Sequence, residues 1–144
     1  MATLRDLNAR MQRIANNLES AVAEVRDRTA NFLVQELISR TPVDTSRALS
    51  NWRVSVGAIL PHIGPLTPGL AGSSRSASAA QAIAAAAAQI EAASPQAVLS
   101  IYNSAPYIRR LNDGYSAQAP AGFVEAAELL ARRFAAMQPL NLER

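Results

Sequence analysis

Leu4, Met11, Leu18, Val25 and Phe32 recur every seven residues, and Leu7, Ile14 and Ala21 form a second row between them. This alternation of three and four is the seam of a helix that packs against another helix. After residue 21 the stripe shifts to Val22, Thr29, Leu33 and Leu37. Such a shift predicts a change of partner or a drift around the helix axis. Residues 3 to 40 contain no Gly and no Pro, Thr3 is placed to cap the start, and Thr41-Pro42 ends the run. The residue before a proline is pushed out of helical geometry.

A helix of about 36 residues is roughly 54 Å long. A compact domain of this size is only about 35–40 Å across. The helix therefore outruns its own globule, with apolar positions continuing into its first turn. No Gly or Pro marks a kink that would fold it back. Cover by another subunit is the favoured reading.

Asp44 is placed to cap a short turn through Arg47 and Leu49, and Arg47 could pair with Asp44 or with Asp113. A solvated pair of that kind contributes under about 1 kcal/mol. Trp52-Arg53-Val54-Ser55-Val56 alternates apolar and polar, the mark of a strand with one buried face. Gly57 to Gly72 holds Pro61, Pro65 and Pro68 and reads as a loop. Ser73 to Ser94 is dominated by Ala, the best helix former, with Ser76 or Ser78 as cap and Ile83 and Ile90 on one face. Its small side chains fit either close packing on a neighbour or a marginal surface helix. Residues 96–103 form a second strand, predicted to pair antiparallel with the first.

The next stretch is dense in helix punctuation. Asn103 or Ser104 is placed to cap a turn, with Pro106 in its first positions. Gly114 suits a left-handed stop, and Pro120 opens another helix. Along that helix, to Met137, Phe123, Ala127, Leu130, Phe134 and Met137 make one apolar stripe. Residues 138–144 should fray. The fold class is thus α+β: a long N-terminal helix, a small antiparallel sheet, an Ala-rich inserted helix and a C-terminal helix. One domain is expected from 144 residues.

Composition narrows the chemistry. The chain has no Cys, so neither a disulfide framework nor a thiolate metal site is available. All 14 basic residues are Arg and the net charge is +3, too spread along the chain to make a nucleic-acid signature. Arg makes planar, multi-donor contacts that suit interfaces and phosphates, and a GC-rich genome whose codons favour Arg and Ala is the favoured, blander reading. No segment reads as a membrane span, and the first residues lack a signal-peptide apolar region. A soluble protein made in the cytoplasm is expected. His62 is the lone histidine, and no phosphate loop, zinc motif or nucleophile elbow occurs. The segment 105–122 supplies neither nucleophile, base nor metal ligands, so no catalytic, cofactor or metal site is expected.

Two blocks carry a resemblance. Thr41-Pro42-Val43-Asp44-Thr45-Ser46-Arg47, followed by Asn51-Trp52, resembles the "TPVDTGR…W" block after the long first helix of neck and tail-completion proteins of tailed bacteriophages. This is the head–tail connection family of the lambda minor tail protein Z. Ala105-Pro106-Tyr107 through Leu111, Gly114, Tyr115-Ser116, Gln118-Ala119-Pro120 and Gly122 resembles the same family's "PYA..LE.G.S.QAP.G" block. The order of the blocks and the helices around them also match, over roughly residues 1–57 and 96–137. Ser46 stands where glycine is usual, and Asn112 where glutamate is common. Residues 58–95 look like an insertion that the resemblance does not reach.

The resemblance implies a virion structural protein without a catalytic site. It would form a homo-oligomeric ring between head and tail, meeting the head connector or adaptor on one side and the tail terminator or tail tube on the other. Non-specific contact with DNA in the channel is compatible with that place. Leu18, Val25, Phe32, Arg47, Tyr107, Arg109, Arg110 and Tyr115 are the candidate interface residues, since Arg and Tyr are enriched at interfaces. Two other classes compete: an Arg-rich nucleic-acid-binding oligomer, and a hydrolase built on Asp44, Asp113 and His62, which requires those three to converge.

Overall fold

The computed structural model describes residue 1 and residues 3–42, 47–59 and 75–142. Helix α1 spans Leu4–Arg40, 37 residues in one run. Its start is a capping box. Thr3 Oγ1 accepts from the Asp6 amide at 3.3 Å, and the Asp6 carboxylate accepts from the Thr3 amide at 2.7 Å. The Thr3 amide and hydroxyl hold the Asp6 carboxyl below the usual carboxylate range. The helix stops at Thr41, whose extended backbone leads into Pro42.

Burial along α1 begins only at Ala21. From there Ala23, Ala30, Val34, Leu37 and Ile38 face the core, at spacings of three, four and seven. The drift of the apolar stripe is therefore present, but centred one position away from the expected row. Val22 stays at the surface, and Leu33 is only partly covered.

A single turn, α2 (Arg47–Ser50), buries Ala48 and Leu49. The Asp44 cap expected for it lies outside the described residues. Strand β1 (Trp52–Val56) sends Trp52 and Val54 inward. It pairs antiparallel with β2 (Leu99–Asn103), in a register from Trp52↔Asn103 to Val56↔Leu99.

Helix α3 (Arg75–Glu91) decides the question its composition leaves open. Ser78, Ala82, Ala86 and Ile90, one residue every helical turn, are buried against α1 and β1. Small side chains let the helix axis approach closely, and Ile90 fills the wider end. Ser76 and Ser78 do not cap it: both lie inside the helix, and Ser78 is on the core face. Arg75, at its start, donates instead to the carbonyls of Ser39 and Ile38 at the end of α1.

Helix α4 (Ile108–Asn112) begins later than Pro106. Tyr107 holds its N-cap position without a side-chain bond. Asn103 Oδ1 accepts from the Ala105 amide at 2.8 Å, so Asn103 shapes the turn before the helix rather than capping it. Gly114 is left-handed as expected, at φ +94°, and a Cβ there would meet Ala121 Cβ at 3.1 Å.

Helix α5 covers Phe123–Met137 rather than starting at Pro120, because Gly122 turns left-handed at φ +80° and breaks the helical path. Phe123 and Ala127 are buried as the stripe predicts. Further along, Ala131 takes the core position, Leu130 is only half-buried and Met137 is exposed. Residues 138–142 carry no regular structure, and the Leu142 carbonyl lies 3.5 Å from Asn17 Nδ2.

The core joins Val34, Leu37 and Ile38 of α1 to Leu49, Trp52, Ile90 and Phe123. Each fully buried side chain of that size contributes about 1.5–3 kcal/mol. Polar anchors then fix the angles. Thr41 is fully buried; its Oγ1 donates to the Leu37 carbonyl at 2.6 Å and accepts from Trp52 Nε1 at 2.8 Å. One hydroxyl thus ties the end of α1 to the start of β1. Arg26 Nη1 donates to the carbonyls of Ser94, Pro95 and Ala97 at 2.8, 3.2 and 2.7 Å, which pins the link from α3 to β2. Replacing Thr41 by Val keeps the shape but strands the Trp52 N–H, and should lower stability by about 1–3 kcal/mol in urea unfolding.

Candidate assembly surface

Among the described residues, almost nothing outside the helix itself touches the first four turns of α1. Leu4, Leu7, Met11, Ile14 and Leu18 are 86%, 53%, 61%, 56% and 45% exposed. Isolated surface leucines are ordinary, but a contiguous row of five on one helix face marks an interaction surface. The body of the chain reaches α1 only near residue 17. There Asn17 meets Leu142, and Gln96 Nε2 donates to the Glu19 carboxylate.

Of the interface candidates, Leu18 alone belongs to this exposed row. Val25 is half-buried. Phe32 is claimed by its own chain: its ring stacks on Phe134 of α5, with centroids 4.4 Å apart and planes 5° from parallel. The α1 seam is therefore covered by α5 at Phe32 and bare at Leu18.

A second group gathers around α4. Arg109 and Arg110 are exposed, Tyr107 is half-buried, and Arg110 Cζ lies 5.2 Å from the centre of the exposed Tyr115 ring. That cation–π contact holds Tyr115 against α4 at the surface. Arg47 is exposed at the head of α2. Among the described residues, no hydrogen bond, ion pair or ring contact joins Leu18 to the α4 group, and no ion pair joins Arg47 to Asp113.

Asn112 does work that residue patterns did not reveal. Its Oδ1 accepts from the Val124 amide at 2.9 Å, and its backbone carbonyl accepts from the Gly122 amide at 2.7 Å. Its Nδ2 donates to both oxygens of Glu125, at 3.0 and 2.9 Å. The side chain thus caps α5 from outside the helix. Asn112 and Glu125 thus form a neutral–acid pair. The Asn112 amide, followed by the backbone N–H of Glu125 itself, holds the Glu125 carboxyl below the usual glutamate range. Only the Asn-Asp-Gly string hinted at this, and it signals a turn rather than a partner thirteen residues on.

Enclosed space offers little chemistry. A groove of about 580 Å³ between β1 and α3 is lined by Trp52, Val54, Ala82, Ala86, Gln81 and Gln89 among others. Among the described residues, Arg53 and Tyr102 are its only ionisable side chains. Of the hydrolase trio, Asp44 and His62 lie outside the described residues. Asp113 sits exposed at the end of α4. Among the described residues, no three His, Cys, Asp or Glu side chains could hold a metal ion, and no helix is long and apolar enough to cross a membrane.

Most arginines near the body are engaged. Arg26, Arg28, Arg40 and Arg132 pair with Asp27, Glu24, Glu36 and Glu128. No protein-family model, curated protein or solved structure matches this chain significantly.

Glu125 makes the Asn112 contact testable by pH. A carboxyl depressed in the folded state adds stability above its unfolded pKa, and loses it as pH falls through the folded value. Asn112→Ala should move the Glu125 titration, followed by NMR, upward toward the usual glutamate range. It should also flatten the acid-side slope of stability.

Proposed function

We propose that this chain is a virion structural subunit of a long-tailed bacteriophage. It forms a ring at the neck or tail-completion position and joins the head connector or adaptor to the tail terminator or tail tube. The observation that carries the reading is the bare seam from Leu4 to Leu18, which extends a helix–helix interface beyond the chain's own body. A protein whose work is assembly needs such a surface, and a ring of subunits is a natural place to cover it.

The two blocks behind the family resemblance also act as architecture. Thr41 and Trp52 of the first are bonded to each other, and Asn112, Gly114 and Gly122 of the second set the α4–α5 corner. Arg109, Arg110 and Tyr115 lie exposed on that corner and suit a second contact, with a neighbouring subunit or another neck protein. In this reading the chain has no catalytic role, needs no cofactor, is made in the host cytoplasm and ends in the virion.

A nucleic-acid-binding oligomer is the competing reading. Arg5, Arg10 and Arg13 are all exposed on the projecting part of α1, which favours it. Affinity for DNA would then fall steeply with salt, and a flat dependence removes this option.

Complementation of a phage lacking the protein tests the neck reading. Leu18→Asp should leave the fold intact and leave heads and tails unjoined. Phe32→Asp should also fail, but with a lower melting temperature, because it breaks the stack on Phe134. Normal virion yield from Leu18→Asp would sink the reading.

A further inference from the structure

We infer that, before any assembly, the free chain is a two-fold dimer in which the projecting parts of α1 from two copies pair antiparallel. The spacing names the occupant. Leu4, Leu7, Met11, Ile14 and Leu18 alternate by three and four, a period matched by another helix rather than by a strand or a loop. The flanks of the seam are Asn8, Arg10, Ala15 and Asn17, so one positive charge per copy borders it. Polar side chains Arg5, Asp6, Gln12 and Arg13 lie away from it and remain in water. The seam positions themselves carry no charge, and the one Arg10 per copy lies at the edge rather than in an apolar layer.

Direction follows from where the body begins. Parallel pairing would bring both bodies to the same end, where α1 is already covered from Ala21 onward. Antiparallel pairing sets the bodies at opposite ends of a two-helix rod and opposes the helix dipoles. The layers then match Met11 with Ile14 and Leu7 with Leu18 of the second copy. The same register brings Leu4 level with Ala21, which its own chain already buries, and beside Val22, which is 51% exposed. The exposed, apolar Val22 stands where the tip of the second helix lands. The seam also continues the α1–α5 interface at the point where α5 ends.

This inference concerns the free chain and stands apart from the neck reading. A closed cyclic ring needs two different surfaces to meet, whereas this contact joins a surface to itself. If both hold, ring formation must exchange one contact for the other.

Sedimentation of the full chain over a range of concentrations tests the pairing, with circular dichroism to confirm folding. The mass should be twice 15.3 kDa. Ile14→Glu, on a face that touches nothing of its own chain, should weaken the dimer by about a hundredfold or more, since it places two carboxylates in one apolar layer. Because the chain has no Cys, introduced thiols report direction. A mixture of Leu7→Cys and Leu18→Cys chains should form a disulfide between unlike chains, while neither variant links to itself. A monomer at every concentration, a dimer indifferent to Ile14→Glu, or self-linking of Leu7→Cys overturns the inference. A larger closed oligomer dissolved by Ile14→Glu also overturns it, yet supports the ring. A dimer behaving as expected from a chain that never enters a virion leaves the inference standing and removes the neck reading.

Discussion

A helix cannot be partly apolar for nothing. Apolar positions run the whole length of α1, shifting around the helix after residue 21, but burial begins only at Ala21. That mismatch between the length of one rigid element and the size of the domain beside it governs the molecule. The C-terminal half of α1 serves as the floor on which α3, the sheet and α5 are laid. The N-terminal half keeps the same pattern without the floor's occupants. Helix continuity is enforced locally, by a capped start and by the lack of Gly or Pro, so the exposed part has no route to retreat into the core.

The body itself is assembled with few large side chains. Aromatics make up 5% of the chain, and alanine fills many core positions. Alanine contributes little area, but it lets helices approach closely, so the large residues that exist are used at corners. Trp52 closes the sheet against α1, Phe123 opens α5, Ile90 ends α3, and Leu49 fills the single turn between. Such a core depends on exact angles between elements, and buried hydrogen bonds supply them. Thr41 to Trp52, Asn51 to the Arg47 carbonyl and Asn103 to the Ala48 carbonyl all converge on the junction of α1, α2 and β1.

The corner between α4 and α5 shows the same economy. Asn112 uses its carbonyl, its amide and its backbone oxygen to hold Gly122, Val124 and Glu125. Above this rigid base, Arg110 and Tyr115 rest against each other at the surface. Two unlike surfaces are thus exposed, the seam of α1 and the α4 corner. The seam is apolar and suits a helix. The corner is cationic and aromatic and suits a polar rim.

Local chemistry alone determined α1 from cap to stop, both strands and their antiparallel sense, the left-handed Gly114 and the overshoot of the first helix. Each rests on signals within a few residues: heptad spacing, alternation, a proline, a glycine. Tertiary structure decided the rest. Whether the Ala-rich helix was core or surface depended on whether a neighbour came close enough to bury methyl groups. Phe32 has the same place in the heptad as Leu18, and only the path of α5 made one an internal stack and the other an open surface. Helix α5 starts at Phe123 rather than Pro120 because Gly122 turns left-handed, and Asn112, thirteen residues before Glu125, bonds the first turn from outside the helix. Pattern records what a side chain needs; distance in space determines which partner meets that need.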